Sequence, residues 1–360
     1  MWQLLNGAAR AAIAVTAAVI VALAALAPGA AETGRTSERA RSPWSMYRGN
    51  AQRTGLSRAF GPESPMVLWA AAGGDVDDEV VLAADGTVYA PGGLIAYDSD
   101  GRRLWKRALQ FGPTPAVGPD GTVYVGSSYS PAPNIGWSRF MALNPDGSTE
   151  WRRALGKNNS AGTAAVAVDG AAYVSHKWGL LAFATSGEVL WRRRGLYAAP
   201  TIGHDGTIYA FRRLGQSDYR LVALSPAGDE QWTSPLRFGL SSWPVAVGAD
   251  GTIFATARSS FGLMALSPSG APLWQVRVRS YGPPSLGPDG SIYVVTSTGA
   301  LRAYSPEGKL IWRRRVGVGL KEPVSVDAAG TIYVPAVNKG HVLALNPNGT
   351  LKWRFQQGPP

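Results

Sequence analysis

Pro115-Ala116-Val117-Gly118-Pro119-Asp120-Gly121-Thr122-Val123-Tyr124 is followed, after a variable stretch, by Met141-Ala142-Leu143-Asn144-Pro145-Asp146-Gly147 and then by Trp151. The order recurs along the chain. Asp-Gly turns of the same kind stand at Asp85-Gly86, Asp205-Gly206, Asp250-Gly251 and Asp289-Gly290, with looser copies at Asp169-Gly170 and Ala329-Gly330, seven in all. A closing Trp stands at Trp69, Trp105, Trp151, Trp191, Trp232, Trp274, Trp312 and Trp353, at spacings of 36 to 46 residues. Asp-Gly between two apolar runs is a strong hairpin signal, because Gly accepts a positive φ without steric cost. Each unit therefore reads as four short strands, and four antiparallel strands repeated about every 40 residues are the pattern of a β-propeller blade. Seven turns predict seven blades, with eight as the alternative because the Trp segments number eight. The surplus segment Val67-Leu68-Trp69 is expected to clasp the Trp353 blade as an edge strand or as a substitute for its outer strand.

Working outward, the 360 residues include 44 Gly, 26 Pro, 13 Trp and 13 Tyr, with 45% apolar and 16% charged side chains, which excludes intrinsic disorder. The absence of Cys excludes disulfides, thiolate metal sites and a lipid anchor on Cys. The three His, His176, His204 and His341, form no local metal motif. Arg10 precedes an apolar run over residues 11–27 and the small residues Gly29, Ala30 and Ala31, which reads as a signal peptide over 1–31, with a retained anchor as the alternative. A flexible leader over 32–43, a lead-in and clasp segment over 44–78, the propeller over 79–353 and a tail over 354–360 complete the expected organisation. After processing no membrane span is expected, and the protein is placed outside the cytoplasm, in the periplasm, in the medium or at the cell envelope.

The endings Ala-Leu-x-Pro-x-Gly-x-x-x-Trp at Ala223 to Trp232, Ala265 to Trp274 and Ala344 to Trp353, with Ala96, Asp98, Gly101 and Trp105 in a further copy, resemble the tryptophan-docking repeat of PQQ-like β-propellers. The stretch Trp44-Ser45-Met46-Tyr47-Arg48-Gly49-Asn50 through Arg53-Thr54-Gly55 resembles the opening of such propellers. The resemblance implies a family that contains quinoprotein dehydrogenases, which hold pyrroloquinoline quinone with calcium on the propeller axis, and binding-only periplasmic relatives that serve outer-membrane protein assembly. It also implies that the eight Trp are structural, each filling the wedge between neighbouring outer strands while its N–H finds a backbone acceptor. The vicinal disulfide of the dehydrogenases cannot exist in a chain without Cys, so neither quinone nor any other cofactor is expected.

In a propeller the turns between strands 1 and 2 and between strands 3 and 4 share one face. The connections between strands 2 and 3 and between blades share the other, and irregular loops on a rigid scaffold carry most binding chemistry. The short uniform turns belong to the first face. On the second lie two long connections, residues 126–139 with Tyr129 and Trp137, and residues 210–220 with Phe211, Arg212, Arg213 and Tyr219. To these are added His176, Lys177, Trp178, Trp243, Arg258, Phe261, Tyr281, Lys321, Asn338 and Lys339. Partner contact is expected from Tyr129, Trp137, Lys177, Trp178, Arg212, Arg213, Tyr219, Trp243, Arg258, Tyr281 and Lys321, since aromatic and cationic side chains suit an anionic or sugar-like ligand or a protein segment.

The formal net charge of +11 is concentrated after the closing Trp residues, at Lys106-Arg107, Arg152-Arg153, Arg192-Arg193-Arg194, Arg313-Arg314-Arg315 and Arg354. On exposed edge strands such charges discourage sheet-to-sheet association, and they also attract polyanions. Asp75, Asp77, Asp78 and Glu79 are the nearest approach to a cation site, with a solvated connection as the alternative. No nucleophile elbow, paired-carboxylate motif or phosphate loop is present, and export argues against nucleic acid. The expected function is a monomeric, exported, non-catalytic propeller that binds a protein or anionic polymer at the cell envelope. The alternative is an enzyme, a dehydrogenase or a lyase or hydrolase acting on sugars, with His176 or His204 on the variable face.

Overall fold

A computed structural model describes residues 44–71, 79–109, 113–132, 135–157, 161–215, 218–238, 243–257, 262–280, 282–317, 323–336 and 341–356. The expected signal peptide and leader, residues 1–43, lie outside them, as do Asp75, Asp77 and Asp78. Among the described residues no helix is long and apolar enough to cross a membrane.

The chain forms seven four-stranded antiparallel sheets in a ring. Blade 1 is β1 (Val81–Leu82), β2 (Val88–Ala90), β3 (Ile95–Tyr97) and β4 (Arg103–Lys106); blade 2 is β5 (Ala116–Val117), β6 (Val123–Ala132), β7 (Ile135–Leu143) and β8 (Thr149–Lys157). Blade 3 is β9 (Ala165–Val166), β10 (Ala172–His176), β11 (Gly179–Phe183) and β12 (Val189–Arg194); blade 4 is β13 (Leu196–Ile202), β14 (Ile208–Arg213), β15 (Tyr219–Leu224) and β16 (Glu230–Thr233). Blades 5 to 7 run through β17 (Ala246–Val247) to β20 (Pro272–Val276), β21 (Ser285–Leu286) to β24 (Leu310–Arg315) and β25 (Ser325–Val326) to β28 (Leu351–Gln356). The inner three strands are apolar and buried, whereas the outermost strand alternates exposed and half-buried residues, as in β20 and β24. The Asp-Gly turns work as expected: the Asp120 carboxylate accepts the Thr122 N–H at 3.0 Å, and Gly121 takes a φ of 89°.

Neighbouring blades are joined at their outer strands by the Trp residues. The Trp105 indole donates to the Pro145 carbonyl of blade 2 at 2.7 Å and lies against Gly147, where a Cβ would come within 2.7 Å of the ring. Only Gly, here at a φ of 83°, lets the indole approach the turn so closely. The same donation runs from Trp151 to Thr185, Trp191 to Pro226, Trp232 to Pro268, Trp274 to Pro306 and Trp312 to Pro347. Four blades add an Arg two residues after the Trp. Arg107, Arg153, Arg193 and Arg314 donate to the carbonyls of Gly147, Gly187, Gly228 and Gly349 in the next blade. Side chains two apart on a strand share a face. To the two expected roles of the basic runs, edge protection and attraction of polyanions, this adds a third: the Arg at Trp plus two ties blade to blade.

The seventh and first blades meet differently from the expected strand exchange. Blade 7 supplies all four of its own strands, and residues 65–71 form no strand. Instead Trp353 donates to Pro62, and Trp69 donates to Ser99 of blade 1 and packs on Gly101, so the lead-in presents a turn to one side and an indole to the other. Trp69 therefore belongs to no blade, which explains eight Trp in a ring of seven and removes the eight-bladed alternative.

Residues 44–56 fill the propeller axis. The last residue of the innermost strand donates its N–H to this segment in six of the seven blades: Leu82 to Trp44, Val117 to Ser45, Ile202 to Ala51, Val247 to Gln52, Leu286 to Thr54 and Val326 to Gly55, at 2.7–3.0 Å. In blade 3 the contact is made by a side chain, Arg53 Nη2 donating to the Ala164 carbonyl at 2.8 Å. Arg53 also donates to Pro200 and Tyr47, and Arg48 donates to the Val324 carbonyl and the Ser285 hydroxyl. Both are fully buried and both take left-handed backbone angles, φ 63° at Arg48 and 55° at Arg53. That conformation costs about 1–2 kcal/mol at a residue with a Cβ, which the cation-to-carbonyl hydrogen bonds offset.

Candidate functional site

The described connections among those expected to be variable reach one face of the ring, but two of them are not loops. Residues 126–139 are mostly a rising hairpin, in which Gly126 pairs with Phe140 and Tyr129 with Trp137, and residues 210–213 and 219–220 are strand. Alternating polar and aromatic residues satisfy a pleat as well as they satisfy a loop, and here the backbone ladder continues. The hairpin lifts Trp137 above the body of blade 2, 44% exposed.

On blade 3 the turn between strands 2 and 3 carries Lys177 and Trp178, both exposed, with the ammonium 5.0 Å from the indole centroid. On blade 4 Arg212 is half-buried and ion-paired with Glu230, whose carboxyl is held below its ordinary range by that guanidinium and by the Thr233 hydroxyl. Arg213 is exposed and donates to the Gly215 carbonyl, while Tyr219 exchanges backbone hydrogen bonds with Phe238. Trp243, at the start of blade 5, turns inward, and its indole N–H is buried without an acceptor among the described residues. Trp137, Lys177, Trp178, Arg212 and Arg213 thus share a face across three consecutive blades. The side chain of Tyr129, and Arg258, Phe261, Tyr281, Lys321, Asn338 and Lys339 altogether, lie outside the described residues. His204 sits in the turn between the first two strands of blade 4, on the opposite face from His176, so the two His are not brought together.

A cleft that sequence reasoning missed opens between the outer parts of blades 2 and 3, with a volume of about 660 Å³. Its apolar floor is Leu155, Leu181, Phe183 and Val189; its polar wall is Arg153, His176 and the run Arg192 to Arg194; Trp178 stands at its rim. Beneath it, Phe140, Trp151 and Phe183 form an aromatic cluster with centroids 5.3–5.8 Å apart, which holds the two blades in register. Burial, and then the charge of Arg192, hold the His176 imidazole below its ordinary pKa, so it is neutral at pH 7. Period-two alternation along β12 was the available signal: Arg193 follows Trp191 toward blade 4, and Arg192 and Arg194 take the other face.

The axis has a different chemistry. Burial lowers the Arg53 pKa to about 10, which leaves it a cation at neutral pH. Glu79, the one described member of the acidic run, accepts the Arg48 N–H at 2.9 Å and lies 3.9 Å from its guanidinium. The described residues contain no group of three or more His, Asp or Glu placed to hold a metal ion. Chain segment 44–56 and these two buried cations therefore line the axis.

Among known proteins, a family model described as outer membrane protein assembly factor BamB matches residues 90–239, 138–267 and 259–360 in overlapping runs. No curated protein sequence matches the chain. The crystal structure of BamB from Moraxella catarrhalis is similar at 19% identity and a TM-score of 0.60, over 79% of this chain and 88% of that one. A europium-containing methanol dehydrogenase is similar at 12% identity and a TM-score of 0.67, over 89% and 86%. A quinohemoprotein alcohol dehydrogenase from Comamonas testosteroni gives 13% identity and a TM-score of 0.62, over 95% and 77%. At such identities the structural likeness shows a shared fold alone.

Proposed function

The chain belongs to the family described as outer membrane protein assembly factor BamB, and on that premise we propose that it is an exported, non-catalytic propeller that binds a protein or an anionic polymer at the cell envelope. The observation that carries this reading is the filled axis. The family resemblance assigns the axis to the quinone and calcium of the dehydrogenases. Here residues 44–56 fill it, and its two buried guanidinium groups are engaged with backbone carbonyls. Binding is then left to the outside of the ring, and Trp137, Lys177 and Trp178 give the loop face exposed aromatic and cationic groups of the kind that anchor interfaces. Export rests on the signal-peptide pattern of residues 1–31 and agrees with the family description.

The test is retention of envelope components on the immobilised chain at low and high salt, with the Lys177→Glu/Trp178→Ala variant beside it. Retention by the intact chain that falls at least fivefold in the variant and weakens with salt supports the reading. Equal retention by both removes this surface, and steady dye reduction on addition of pyrroloquinoline quinone and calcium overturns the non-catalytic assignment.

A further inference from the structure

We propose that the cleft between blades 2 and 3 is a binding site for an amphipathic anion, a carboxylate or phosphate group carried on a short apolar body. The inference is independent of the envelope partner. It starts from three consecutive guanidinium groups on β12. Arg193 is engaged, donating to Gly228 and Asp229 of blade 4. Alternation on the strand turns Arg192 and Arg194 the other way, about 6.5 Å apart along it. Neither guanidinium makes a hydrogen bond or ion pair with any described residue, although both residues line the cleft. Arg153 closes the opposite wall, with its guanidinium held by the Gly187 and Arg152 carbonyls. Among the described residues no carboxylate lines the cleft.

Like charges gathered on low-dielectric walls focus a positive potential, and an entering anion gains charge-assisted hydrogen bonds from groups that have no partner among the described residues. The floor sets the second requirement. Leu155, Leu181, Phe183 and Val189 present an apolar surface with no polar side chain to orient a sugar or a bare ion, and the indole of Trp178, 59% exposed, stands over the opening. A volume of about 660 Å³ falls within the usual range for small-ligand sites, roughly 300–1,000 Å³. Cationic wall and apolar floor together select a molecule with an anionic head and an apolar body.

Titration calorimetry with octyl phosphate and with octanoate, each below its aggregation concentration, tests the site on the full chain. Inorganic phosphate and octyl glucoside supply the head and the body alone. One saturable site for octyl phosphate or octanoate is expected, with at least tenfold weaker binding of inorganic phosphate and of the glucoside; the stronger of the two anions identifies the preferred head group. Arg192→Glu/Arg194→Glu should weaken binding at least tenfold. Arg313→Glu/Arg315→Glu makes the same charge change on blade 6 and should stay within twofold. Trp178→Ala should weaken octyl phosphate and leave inorganic phosphate unchanged. If the Glu pair does not fold, Arg192→Gln/Arg194→Gln takes its place. Absence of saturable binding, equal losses in the blade 3 and blade 6 variants, or equal affinity for the glucoside would each overturn the proposal.

Discussion

Arginine does opposite work on the axis and on the rim of this ring. Arg48 and Arg53 are buried beside backbone carbonyls, and their charge is used to hold strands from different blades around one segment. Arg192 and Arg194 stand at the wall of an open cleft with no internal partner among the described residues. Between these extremes lies Arg193, on the same strand as the free pair but committed to the next blade. Composition counts all five as basic residues. What separates them is which carbonyls the fold brings within reach, so charge in this protein is first a means of assembly and only where assembly leaves it idle a means of recognition.

The contrast can be broken most forcefully at the axis. Arg53→Ala takes the donor from two buried carbonyls and one half-buried one and is expected to destabilise the fold by about 3 kcal/mol or more, read from the denaturant midpoint. A loss below about 1 kcal/mol would show that the segment is held by its backbone alone. On the rim the expected effects are smaller and divided. Arg193→Ala should cost about 1 kcal/mol through the Gly228 bond, since the exposed Asp229 pair adds little, while Arg192→Ala should stay within about 0.5 kcal/mol. Equal effects would erase the distinction between the two faces of β12.

The smallest expected effect is pH-dependent. The His176 pKa is lowered in the fold, by burial and by Arg192, so the unfolded chain takes up this proton first as pH falls through about 6.5. Stability should therefore decline on acidification below that value until the folded imidazole also titrates, and His176→Gln should flatten this part of the stability profile. A steeper decline in the variant would reverse the sign of the argument.

The ring was legible because repetition displays it: Asp-Gly turns, Trp spacing and four strand-length runs per unit are local signals that agree with one another. The filled axis was not legible in the same way. Residues 44–56 match no repeat, and their hydrogen bonds go to all seven blades, a placement that periodicity does not encode. The cleft was half-legible. Period-two alternation from Trp191 already separates Arg193 from its neighbours, but the space beside Arg192 exists only because blades 2 and 3 diverge above the Trp151 cluster. The seam was misread for a related reason: a Trp beside two apolar residues looks like a strand, whereas Val67 and Leu68 are exposed and only the indole of Trp69 is engaged.

The lead-in also imposes an order on folding. Residue 44 leaves the ribosome early, yet Arg48 finds the Val324 carbonyl only after 276 further residues have been made. Until then this stretch is a keystone without an arch, and the early blades lack their central fastening. Contacts so distant in sequence make the final locking step slow. A chain stopped before the last blade would keep most of its hairpins and still be unable to close.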